Sequence, residues 1–304
     1  MLKVGAAPEL MTTSPGRDAK ASNSMFPPII RSVSALRRAA GKYRSSSDRV
    51  ALVPTMGALH AGHMELISAA RASCSRTIVS IFVNPTQFAQ SEDLQLYPRN
   101  EEEDLRKLAE AGVDLVFMPL AGEMYREDFV TSVCLSGPGR GLESTVRPHF
   151  FTAVATVVCK LLLQCQPDVA VFGEKDYQQL QVVRRMVRDL DIPSEIMAVA
   201  TVREMDGLAF SSRNAYLSST ERATAPRLFE ILQETAVCLR EGGTVVGEIE
   251  RGTALLRAAG FDGVDYLALC DGESLQPLQL LVRGARLFAA VRLGTTRLID
   301  NLEV

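Results

Sequence analysis

The sequence predicts an α/β protein: a parallel sheet covered on both faces, followed by a smaller α+β domain. Three observations carry that expectation. Short continuous apolar runs such as Val50–Val53 and Val169–Phe172 alternate with helical patterns, as strands buried on both faces of a parallel sheet do. After about Val202 the pattern changes to helices followed by neighbouring strands, the signature of an α+β unit. The 304 residues are enough for two domains, at roughly 150 residues each. The expected organisation is an extension over 1–24, a first domain over 25–202 and a second over 203–304.

Each element has a local reason. Val50–Val53 is a β-rich run ending in the turn Pro54-Thr55-Met56-Gly57, and a helix follows through about Ser73. Thr77–Val83 is a second strand, closed by the turn Asn84-Pro85. Glu101–Ala111 reads as a helix stopped by Gly112, leading into a strand at Asp114–Met118. Ala153–Gln164 is a mostly apolar helix, Val169–Phe172 a buried strand, Tyr177–Leu190 a helix with a charged face and Glu195–Val202 a further strand. Two helices, Ser219–Arg240 and Val245–Ala259, then precede strands at Val264–Cys270, Leu287–Val291 and Arg297–Leu302.

Bulk properties exclude several classes. The formal net charge of −3 gives no global attraction to nucleic acid or an anionic membrane, and no basic stretch is interleaved with aromatics. Apolar stretches fall far short of the roughly 18 residues of a membrane span. The six cysteines are spread singly, without a CxxC pair, and free thiols fit a reducing compartment such as the cytoplasm. Cys159 and Cys165 sit in an apolar run and read as small core residues. Residues 1–24 are rich in Ser, Thr, Gly, Pro and Ala with no apolar block, so they read as a disordered extension rather than a secretory signal, and Glu9 and Asp18 count against a transit peptide.

Four segments carry chemistry. His60-Ala61-Gly62-His63 follows a strand and a tight turn, so it opens a helix, and histidines three apart share a helix face. Gly62 keeps that face low, so that an anion can approach the helix N-terminus, where free N–H groups favour negative charge. A metal site is the alternative for such a pair, but it wants a third ligand and the chain holds one more histidine, His149. No GxxxxGK[ST] loop or dinucleotide fingerprint is present, so any nucleotide must use the helix end. Gly173-Glu174-Lys175-Asp176 closes the buried strand, with Lys175 suited to a phosphate, Asp176 to a ligand hydroxyl or a helix cap, and Gln179 near the same face. Asp206–Asn214 is a glycine turn followed by Ser211, Ser212 and Arg213, donors able to close over a polyphosphate. Phe82–Phe88 ends another strand and brings Gln87, an amide suited to a small polar substrate. Glu101–Asp104 is an acidic helix start that the dipole alone explains, unless one or two carboxylates face a magnesium–phosphate site.

In this order the four segments, with Tyr97-Pro98-Arg99 and the run Leu293–Asn301, resemble the pantothenate synthetases from Phe26 to Val304. The resemblance implies a Rossmann-like HxGH nucleotidyltransferase domain with a smaller C-terminal lid, usually a homodimer. It implies an ATP- and Mg2+-dependent ligase that joins pantoate and β-alanine through a pantoyl adenylate. By position, Thr55, Met56, His60, Gly62, His63, Gly173, Lys175, Asp176, Ser211, Ser212 and Arg213 match the ATP site. Met56, Gln87 and Gln179 match the pantoate pocket, and Glu103 and Asp104 the magnesium ligands. One departure stands out: Phe150 and Ala153 replace the family's histidine and glycine, with His149 displaced by one, and the alanine methyl is expected to crowd a closely approaching ligand. Another nucleotidyltransferase is the enzymatic alternative, though it would not be expected to pair Gln87 with Gln179. A binding protein without turnover is the other.

Overall fold

A computed structural model describes residues 26–88, 94 and 97–304; the extension expected over 1–24 lies outside the described residues. The first part runs β1 (Ile29–Ile30), α1 (Val33–Ser45), β2 (Val50–Thr55), α2 (Ala61–Ser73), β3 (Arg76–Ile81), α3 (Glu101–Glu110), β4 (Leu115–Phe117), α4 (Ala121–Met124) and α5 (Glu143–Val146). It continues through α6 (Phe150–Cys165), β5 (Val169–Gly173), α7 (Tyr177–Asp189) and β6 (Glu195–Val199). The second part holds α8 (Ser219–Thr224), α9 (Arg227–Arg240), α10 (Val245–Ala258), β7 (Gly263–Asp271), β8 (Ala285–Leu293) and β9 (Thr296–Glu303).

The apolar strands are buried on both faces, as their composition requires. Val50 and Leu52 pack with α1, α6 and α7 on one side, while Ala51 and Val53 pack with α2 and α3 on the other. The sheet is parallel throughout, in the order β1-β4-β3-β2-β5-β6. The order reverses between β2 and β5. There the strands are tied at their start, where Asp168 accepts the Val50 N–H at 2.7 Å and donates its own N–H to the Val50 carbonyl. Their register pairs Ala51 with Val169 and Leu52 with Ala170 and extends no further. Beyond that the carboxyl ends part, which is where ligands sit in open α/β sheets.

The second part packs α9 and α10 on the antiparallel sheet β7-β8-β9 around its own apolar cluster, with Leu232, Ala236, Leu287 and Val291 fully buried. The single helix expected over Ser219–Arg240 is two, because Pro226 at the junction lacks the N–H a continuous helix needs. The two parts touch through polar contacts. Glu143 accepts from the Tyr266 hydroxyl at 2.7 Å and from Arg297 at 2.8 Å. Burial, with the neighbouring Glu143 carboxylate, pushes the Tyr266 phenol above its usual range. Cys159 and Cys165 are core residues, and burial pushes the Cys165 thiol up to about 12.

The loop from 203 to 214 leaves β6 and is anchored on β9. Arg203 donates to both carboxylate oxygens of Asp300, at 2.6 and 2.9 Å, and stacks on Phe229 with 3.5 Å to the ring centre. Asp300 is buried, so removing it leaves a largely buried guanidinium unpaired. The Asp300→Ala variant is therefore expected to lose about 3–5 kcal/mol in urea unfolding; a loss below about 1 kcal/mol contradicts the anchoring role.

Candidate active site

At the fork between β2 and β5 lies a cavity of about 230 Å³. Its walls carry Thr55 and Met56 from the end of β2, Gly173 from the end of β5, Lys175, Asp176 and Gln179 from the start of α7, and His60, Gly62 and His63 from the start of α2. Gln87 comes from the turn after β3, and Ser211, Ser212 and Arg213 from the long loop. Strands, turns and a loop separated by up to 158 positions thus converge on one opening. A parallel sheet does this because each strand delivers its following loop to the same edge.

The histidine turn is tightly specified. Gly57 has φ +83°, in the region that favours glycine. At Gly62 a Cβ would lie 3.0 Å from the His60 ring, so glycine leaves room for the imidazole as well as lowering the helix face. The His60 N–H donates to His63 Nδ1 at 3.3 Å, which leaves the proton of a neutral His63 ring on Nε2. The two rings lie 4.0 Å apart, and Phe210 of the long loop stacks on His60 at 6.1 Å. His60 Nδ1 is buried without a hydrogen-bond partner among the described residues. Burial, then the Lys175 charge, pushes His60 down to about 4; burial, then His60 itself, pushes His63 down to about 3. Both rings are neutral at pH 7.

On the other branch of the fork, Asp176 occupies the N-cap position of α7 but makes no capping bond, so its carboxylate is left to the cavity. The Lys175 turn is held from outside: Asn301 of β9 donates Nδ2 to the carbonyls of Glu174 and Lys175, both at 2.9 Å. Ser211 caps the short 3₁₀ turn Ser212–Tyr216 by accepting the Arg213 N–H at 3.2 Å. The glycine-turn loop is therefore ordered into a helical turn that presents Ser212 and Arg213.

Gln87 is buried, and its Oε1 accepts from Asn84 Nδ2 at 3.1 Å, which leaves its amide NH2 to donate. Arg147 holds the Gln87 carbonyl at 2.8 Å and stacks on Phe150 with 3.9 Å to the ring centre. Phe150 lines the cavity, whereas His149 is exposed. Ala153 is buried and is not among the cavity-lining residues, so the expected crowding of a ligand does not arise there. The apolar wall comes from Val154, Val157 and Leu161 of α6 with Phe82 and Phe172.

Glu103 and Asp104 stand apart from this assembly. Neither lines the cavity. Glu103 pairs with Arg106 at 2.7 Å and Lys107 at 3.4 Å, and both Asp104 oxygens accept backbone N–H groups of the histidine turn. Among the described residues no group of three His, Cys, Asp or Glu side chains is arranged to hold a metal ion. As they stand, the two carboxylates do not fit a magnesium site.

The model of the family described as "Pantoate-beta-alanine ligase" matches residues 28–303. The chain belongs to the pantoate–β-alanine ligase family. It is accordingly an enzyme, and it is 53% identical to the pantothenate synthetase of Paramagnetospirillum magneticum over 276 residues, 91% of this chain and 97% of that protein. The pantothenate synthetase of a Bradyrhizobium species is 52% identical over 92% of this chain and all of its own length. A crystal structure of pantothenate synthetase from Thermus thermophilus superposes with a TM-score of 0.86 at 48% identity, covering 91% of this chain and 99% of its own. The pantoate–β-alanine ligase of Francisella tularensis, crystallised with "Beta-gamma ATP" and β-alanine, superposes with a TM-score of 0.78 at 32% identity, over 91% and 97%.

Sequence reasoning passed over some residues at the site. Tyr97, noted only as part of the family pattern, is buried on the cavity wall that Ser212 also lines. Asn301, the end of the family run Leu293–Asn301, and Arg147, just before His149, carried no expected role, because what each holds is a backbone carbonyl far away in sequence. No helix among the described residues is long and apolar enough to cross a membrane.

Because both histidines are held below their ordinary 6.5, the unfolded chain binds protons there that the folded chain does not. Their contribution to stability is complete above about pH 6.5 and is lost as pH falls through about 4 and then about 3. Unfolding free energy measured from pH 7 to pH 4 is expected to fall less steeply in a His60→Asn, His63→Asn double variant. An unchanged slope contradicts the buried neutral rings.

Proposed function

We propose that this cavity is where the chain activates pantoate with ATP and joins it to β-alanine, giving pantothenate, AMP and pyrophosphate. The observation that carries the reading is that two different linings share one opening. His60, His63, Lys175, Ser212 and Arg213 are donors suited to a polyphosphate, while Gln87, Gln179 and the α6 wall suit a small hydroxy acid. Pantoate has two hydroxyls, a carboxylate and a geminal dimethyl group; amides match the first three and the apolar wall matches the last. The Francisella relative crystallised with a nucleotide and β-alanine supports the same assignment.

In the first step a pantoate carboxylate oxygen attacks the α-phosphorus, the bond to the bridging oxygen breaks and pyrophosphate leaves. The N–H groups at the start of α2, the imidazole donors and the Lys175 and Arg213 charges stabilise the negative charge that builds on phosphate oxygens. In the second, the β-alanine amine attacks the acyl carbon, the bond from that carbon to the bridging oxygen breaks, AMP leaves with the oxygen, and the nitrogen loses its proton to water. No side chain becomes covalently attached, so positioning and charge do the catalysis. The acyl adenylate must be kept from water, and the 203–214 loop with Phe210 against His60 is the lid that does this. Magnesium, arriving with the nucleotide, would neutralise part of the triphosphate charge, and none of the steps above is assigned to it. The domain boundary falls near 202/203, and the working form is a cytoplasmic homodimer.

Pyrophosphate release from ATP is expected to require pantoate, with AMP and pantothenate appearing when β-alanine is added. Release without pantoate, or none from folded protein, contradicts the reading. In the same assay His63→Ala is expected to reduce pyrophosphate release by about 10²–10³-fold. Gln87→Ala should raise the KM for pantoate more than that for ATP; an equal rise in both would remove Gln87 from the pantoate pocket.

A further inference from the structure

Helix α3 carries two residues that the proposed reaction does not use, and both are turned toward the segment in front of the histidines. Asp104 is 3% exposed; its Oδ2 accepts the Ala58 N–H at 2.9 Å and its Oδ1 the Leu59 N–H at 2.8 Å. One turn along, Lys107 Nζ donates to the Leu59 carbonyl at 2.7 Å. Three charge-assisted bonds therefore hold two consecutive residues. One of these, Ala58, has φ +52°, a region that residues with a Cβ avoid unless their surroundings impose it. Its neighbour Gly57 sits so close that a Cβ there would lie 3.0 Å from Asp104 Oδ2. Leu59 leads directly into His60, whose N–H fixes the His63 ring.

We propose that Asp104 and Lys107 are positioning residues that hold the turn Gly57–Leu59 and thereby aim both imidazoles into the cavity, and that Asp104 is not a metal ligand. Both carboxylate oxygens are already engaged by N–H groups. The Lys107 ammonium lies 3.4 Å from Glu103, where it repels a divalent cation. Mg2+ usually keeps several waters, whereas Asp104 is only 3% exposed to solvent. The acidic start of α3 thus serves the fold of the histidine turn. Its catalytic consequence rests on the adenylating role proposed for His60 and His63.

Asp104→Asn replaces one acceptor by an NH2 that meets a backbone N–H, and Lys107→Met removes the bond to Leu59. The chain has three histidines, and the exposed His149 serves as an internal reference. In the ligand-free imidazole ¹H–¹⁵N spectrum of each variant, the His60 and His63 signals are expected to move while those of His149 stay. Pantoate-dependent pyrophosphate release is expected to fall about 10- to 100-fold in Asp104→Asn. The Mg2+ concentration for half-maximal rate and the KM for pantoate stay within about twofold, since neither ligand is touched. In a His63→Ala background, Asp104→Asn adds less than about twofold, because both changes act through the same ring. A raised Mg2+ requirement with unmoved imidazole signals overturns the inference in favour of a metal ligand, and full additivity with His63→Ala overturns it as well. The spectrum does not depend on turnover, so wild-type release by His63→Ala removes the catalytic reading while the positioning is still decided by the signals. Lys107→Met gives the same reading if Asp104→Asn fails to fold.

Discussion

Two parallel strands joined at their beginnings and parted at their ends make the site possible. Asp168 locks the start of β5 to the start of β2, and only two register pairs follow before the strands diverge. On the far side of each, pairing is complete: β2 with β3 as far as Thr55, β5 with β6 as far as Gly173. The fork is therefore rigid on its outer edges and open in the middle. Whatever enters it meets the start of α2 from one strand and the start of α7 from the other. An acid and a triphosphate brought together there are already oriented, which is where much of the rate of a displacement reaction comes from.

The positive charge of the fork does not come from its histidines. A histidine pair at a helix N-terminus looks like two cations for a phosphate. Burial and mutual proximity instead keep both rings neutral, so they act as donors, and the standing positive charge comes from Lys175 and Arg213. Neutral donors cost less to keep dry than cations would. The second domain completes the site in three ways. It supports the Lys175 turn through Asn301, anchors the long loop through Arg203 and Asp300, and lays Phe210 on His60.

Much of this was legible beforehand, and the reasons differ by element. Runs such as Val50–Val53 and Val169–Phe172 are apolar at every position, so both sheet faces had to be covered. Motifs at strand ends announced themselves because Gly, His, Lys and Ser cluster where regular structure stops. What escaped was what depends on partners far away. β1 has two residues and exists by pairing with β4, and α1 was not singled out although Ser32 caps it. Lys107 carried no signal of its own within the helix pattern Glu101–Ala111, yet its ammonium reaches a carbonyl 48 positions back. Asp104 was expected to face magnesium because it matched a family position, whereas burial against two N–H groups fixes its place here. Ala153 was expected to crowd a ligand only if one approached its backbone closely; one turn into α6 it packs in the core, and Phe150 is the departure that reaches the cavity.

The central claim, attack of the pantoate carboxylate on the α-phosphorus, is tested most directly by following oxygen. Pantoate labelled with ¹⁸O in its carboxylate, turned over with ATP and β-alanine, should transfer one labelled oxygen to AMP and none to pyrophosphate. Label in inorganic phosphate with ADP as the nucleotide product would mean attack at the γ-phosphorus and an acyl phosphate, and would contradict the account.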